Sequence, residues 1–110
     1  NETEERETRS LSATERKAQK REAAELRKKL SPIKAQVTKL EKQLETLQEK
    51  LLSTEEQLGD SSLYDASNKD KLKEILATQT QLKQQIDATE LTWMEQLEDL
   101  EALESALAAD

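Results

Sequence analysis

The stretch LRKKLSPIKAQVTKLEKQLETLQEKLLSTEEQL, residues 26–58, decides the fold. Its apolar side chains, Leu26, Leu30, Ile33, Val37, Leu40, Leu44, Leu47, Leu51 and Leu58, recur alternately four and three residues apart, with only Thr54 interrupting the series. A period of 3.5 lays all of them along one narrow stripe of a helix, and so thin a stripe requires a second helix to cover it.

Composition excludes most alternatives. With aromatics at 2%, charged residues at 37%, one Gly and one Pro, the 110-residue chain cannot fill a three-dimensional core, whereas a coiled coil needs only a seam of leucines. An elongated all-α molecule is expected. No apolar run approaches the ~20 residues of a membrane span and nothing resembles a secretory signal, so the reading is a soluble, cytoplasmic protein with no membrane partner. The absence of Cys rules out disulfides and thiolate metal sites. A first residue of Asn1 in place of Met suggests a fragment of something longer.

Outward from the stripe, residues 1–15 (NETEERETRSLSATE) are polar and read as a flexible linker tail. Helix 1 is expected over 16–58, kinked near Pro32, because the leucine register passes through the proline without slipping. Gly59 stands where a left-handed C-cap is wanted, residues 59–67 form the loop, and Ser67 three before Asp70 is a weak capping box for helix 2 over 68–108. The second stripe is Leu72, Ile75, Gln79, Leu82, Ile86, Thr89, Trp93, Leu97, Leu100, Leu103 and Leu107. Two long helices on a short loop lie antiparallel, so the fold class is a two-helix coiled-coil hairpin, monomeric rather than intermolecular.

A fold-back about residue 63 opposes Thr54 to Leu72, Leu51 to Ile75, Leu44 to Leu82, Leu40 to Ile86, Ile33 to Trp93 and Leu26 to Leu100. Flanking positions then pair Lys20 with Glu104, Lys29 with Asp99, Lys34 with Glu90 and Glu41 with Lys83, all complementary, each worth ~0.2–1 kcal/mol. Trp93 reads as a seam residue in preference to a stacking platform for a base, since a lone Trp is a poor single-strand binder.

Charge is unevenly spread. Residues 16–42 hold ten Lys/Arg against three Glu, whereas residues 84–110 hold eight acidic residues and no basic one, within a net charge of −7. Without His or Cys there is no imidazole acid/base pair, thiol nucleophile or zinc site, and a single Gly excludes a glycine-rich phosphate loop, so no enzyme and no cofactor are expected in this segment. The cations left facing outward, Arg16, Lys17, Arg21, Lys28, Lys39 and Lys42, are the candidates for phosphate contact, with backbone recognition and no base readout. Leu63 and Tyr64 at the fold-back tip are candidates for contact with a partner, or for packing within the loop.

The segment ERKAQKREAAELRKKLSPIKAQVTKLEKQLETL, the tip LGDSSLYD and the later TWMEQLEDLEAL together resemble the C-terminal domain of ABC-F ATP-binding cassette proteins, particularly the YheS type, with Uup a more distant relative. The resemblance covers about residues 15–104 and rests on Arg27 five before Pro32, Leu58-Gly59-Asp60, Leu63-Tyr64-Asp65 and Trp93 in that order. It implies a hairpin appended by a polar linker to two nucleotide-binding domains, in a cytoplasmic ATPase associated with ribosomes and translation. In the Uup branch it implies a DNA-binding domain. ATP and Mg would belong to the parent's missing domains, and no ATP-binding residue carries over.

Two functions compete on this reading. One is a non-catalytic arm touching DNA or rRNA through the basic face of helix 1. The alternative is a protein-interaction or spacer coil, in which the acidic 84–110 face meets a basic protein or the parent's own ATPase domains.

Overall fold

The structure, a computed structural model, describes the backbone of residues 2–109 and the side chains of residues 12–109. It is all-α: helix α1 spans Glu2–Leu58, two 3-10 turns follow at Ser61–Tyr64 and Ala66–Asn68, and helix α2 spans Lys69–Ala108. The helical backbone thus begins well before the boundary expected at Arg16. The run up to Thr14 contains Glu, Arg and Ala and no Gly or Pro, so nothing in it breaks a helix. Side chains of residues 1–11, where most of the expected tail falls, lie outside those described. Pro32 sits within α1, which runs through it unbroken. Pro32 has no amide to offer the Lys28 carbonyl, and its own exposed position leaves that carbonyl to water.

The chain divides into two compact units, Gln36–Leu97 and Asn1–Ala35 with Glu98–Asp110. In the first, Val37, Leu40, Ile75, Leu82 and Ile86 are buried, and Leu44, Leu47, Leu51, Leu58, Leu72, Gln79, Thr89, Trp93 and Leu97 are half-buried. Every stripe position is covered. Thr54 is also buried, and its hydroxyl is satisfied by donating to the Lys50 carbonyl at 2.8 Å. In the second unit Ala23 and Leu103 are buried, while Leu26, Leu30, Ile33, Leu100 and Leu107 are half-buried. No described large side chain is completely buried. Two helices shield a seam from two sides only, so each leucine contributes less than the roughly 1.5–3 kcal/mol of full burial and many must act together.

The register differs from expectation by one heptad. Thr54 shares a groove with Lys50 and Ser53 on one side and Thr78, Gln81, Leu82 and Gln85 on the other, which puts it level with Gln79 instead of Leu72. The same offset sets Leu51 against Leu82, Leu47 against Ile86 and Leu40 against Trp93. In the second unit Gln19, which the expected register would have covered with Leu107, is exposed. The reason lies at the tip. The two 3-10 turns take up chain length at the end of α1, and Leu63, only 5% exposed, packs beside Ile75, where Leu51 had been expected.

This offset also undoes the expected charge pairs. Among the described residues, Lys20 and Glu104, Lys29 and Asp99, and Glu41 and Lys83 do not form ion pairs; the pair that forms is Lys28 with Glu25, 3.3 Å apart on one helix. The fourth expected pair, Lys34 with Glu90, takes one residue from each unit.

Two features of the loop also depart from the sequence reading. Gly59 does not adopt positive φ. Its amide instead continues the helical pattern to the Glu55 and Glu56 carbonyls, both at 3.1 Å, and Asp60 N bonds to the Gln57 carbonyl at 3.2 Å. The capping box at Ser67 does not form among the described residues. Asn68, directly before α2, turns back so that its side-chain amide donates to the Ser62 carbonyl at 2.9 Å. Asp60 is the cap that does form, accepting from Ser62 N at 3.0 Å and Ser62 Oγ at 2.8 Å.

Candidate nucleic-acid interface

Helical geometry sorts the cations of the basic stem into two parallel stripes. At 100° per residue, Arg16, Lys20 and Arg27 fall within about 40° of one another, and Lys17, Arg21 and Lys28 fall within a similar arc about 100° further round. All six are exposed. The first stripe lines a surface depression of about 210 Å³ together with Gln19 and Ala23. Its lining residues come from α1 alone. Three cations, Arg16, Lys20 and Arg27, stand around this depression.

Of the expected contact residues, Arg16 stands in this depression, and Lys17 and Arg21 lie on the neighbouring stripe. Lys28 is also on that stripe and is engaged by Glu25, with both side chains largely in water. Lys39 and Lys42 are exposed in the unit formed by Gln36–Leu97. Lys20 and Arg27 are gained. Lys20 was set aside for Glu104 by the expected register, and Arg27 belongs to the basic segment but not to the cations expected to face outward. Their spacing of four and eleven from Arg16 is the signal that finds them.

At the tip the two expected contact residues part company. Leu63 is buried and belongs to the packing of the hairpin. Tyr64 is 59% exposed, and its hydroxyl donates to the Leu58 carbonyl at 2.7 Å, satisfying one of the last carbonyls of α1.

The only glycine is spent closing α1, and among the described residues no cluster of three His, Cys, Asp or Glu is placed to hold a cation. No described helix is long and apolar enough to cross a membrane.

Comparison with curated proteins finds the chain 49% identical, over 92 residues, to "Probable ATP-binding protein YheS" of Escherichia coli K12. The protein of the same name from Escherichia coli O6:H1 is 48% identical over the same length. The match takes in 84% of this chain and 14% of those relatives, so the chain spans about one seventh of their length. No family model matches the chain, and no solved structure does.

Proposed function

Since the chain is homologous to a segment of YheS-type ABC-F proteins, we propose that it is the non-catalytic C-terminal arm of such an ATPase, working in the cytoplasm on the ribosome. In this reading the arm touches DNA or rRNA by its phosphate backbone. The observation that carries it is the six-cation face of Arg16, Lys17, Lys20, Arg21, Arg27 and Lys28, of which only Lys28 is ion-paired among the described residues. Among the described residues no carboxylate of the return helix forms an ion pair with this face. ATP and Mg are held by the parent's nucleotide-binding domains, and the arm moves with them.

The contact is electrostatic and carries no base readout, since long flexible cations on a helix surface present no fixed bidentate geometry to base edges. The test is a salt titration of binding to a duplex DNA and to an rRNA fragment. Changing Arg16, Lys20 and Arg27 together to Gln removes about three phosphate contacts, which lowers the slope of log K against log salt by about 2–3. Absence of binding at low salt, or an unchanged slope in the triple variant, defeats the reading.

A further inference from the structure

Leu91 and Met94 are 60% and 52% exposed on α2, one turn apart, on the side of the helix facing away from Thr89 and Trp93 and hence away from the seam. The hairpin's own packing makes no use of them. Asp87 and Glu95 stand one turn before and after Leu91 on that same face, and Glu90 stands one turn before Met94. None of the three carboxylates has an ion-pair partner among the described residues, and Lys83, the last base before them, leaves Asp87 unpaired. An apolar pair at i and i+3 bordered by free carboxylates is the complement of a helix that carries its own apolar ridge between lysines or arginines.

We infer that this outer face of α2 docks a basic amphipathic helix of a second protein. The apolar pair anchors the ridge, and Asp87, Glu90 and Glu95 select its charge. The surface is separate from the basic stem of α1 and does not depend on nucleic-acid binding.

The experiment is an NMR titration of the 110-residue chain with three synthetic helical peptides. The first carries a Leu ridge flanked by Lys and Arg, the second has Ser in place of Leu, and the third has Glu in place of Lys and Arg. Only the first is expected to bind, with shifts centred on residues 87–95. The double variant Leu91→Ser/Met94→Ser and the double variant Asp87→Asn/Glu95→Gln should each weaken it at least tenfold. Leu52→Ser should leave it unchanged, because Leu52 is 62% exposed beside Glu49, Glu55 and Glu56 but has no apolar neighbour one turn away. Shifts no larger at Leu91 than at Leu52, or equal binding of all three peptides, overturn the inference. So does self-association of the chain that the Leu91→Ser/Met94→Ser variant abolishes, since the occupant would then be a second copy.

Discussion

Trp93 carries the sharpest conflict at the residue scale. Its ring fills a seam position level with Leu40, yet its indole Nε1 is buried without a hydrogen-bond acceptor. Leaving such a donor unmade costs about 1–3 kcal/mol. Trp93→Phe keeps the ring and removes the donor, so stability in urea, followed by circular dichroism, should hold within about 1 kcal/mol or rise. Trp93→Ala should lose up to about 3–5 kcal/mol, the range for deleting a large aromatic. Gly59 offers a second residue-scale test. With φ in the ordinary region and the nearest atom to an added Cβ, the Glu56 carbonyl oxygen, 3.3 Å away, Gly59→Ala should change stability by no more than about 1 kcal/mol in either direction. A loss well beyond that would restore the left-handed cap. The seam role of Trp93 was legible from spacing alone, whereas the conformation of Gly59 was not, because glycine ends helices with either sign of φ.

At the scale of the element, the tip is a small hydrogen-bonded device. The Asp60 carboxyl is held below its ordinary value of 3.8, chiefly by the Ser62 hydroxyl, then by the Ser62 amide, with Lys71 adding a weaker attraction. A depressed folded-state value means that the stabilisation is fully present above the unfolded value and is lost as pH falls through the folded one. The melting temperature of the chain should therefore drop as pH goes below about 4, and Asp60→Asn should flatten that part of the profile. Tyr64→Phe removes the donor to the Leu58 carbonyl and should cost about 0.5–1.5 kcal/mol, read by thermal melting. Asp and Ser after Gly59 announced a turn in the sequence. That Leu63 would leave the tip and enter the seam was not announced, because a lone Leu in a loop serves equally as an exposed contact or a plug.

For the molecule as a whole, the two stripes were readable to the residue, since a heptad pattern names which side chains face inward. The pairing between them was not readable, since the pattern repeats every seven residues and the choice among repeats is made by loop geometry. Cysteine pairs decide it within the unit formed by Gln36–Leu97: Leu51→Cys with Leu82→Cys should cross-link readily, and Leu51→Cys with Ile75→Cys, a heptad or about 10.5 Å away along the helix, should not. The error in pairing hid Lys20 from the candidate site, which shows how a functional assignment on a coiled coil inherits any mistake in register.

That repeat has a mechanical consequence. Displacing α2 by one heptad restores nearly every apolar layer, so the leucines alone resemble a toothed rack with several equivalent stops. The four tip hydrogen bonds made by Asp60, Tyr64 and Asn68 act as the pawl that holds one stop. Without them nothing at the tip would distinguish one stop from the next, about 10.5 Å further along the helix.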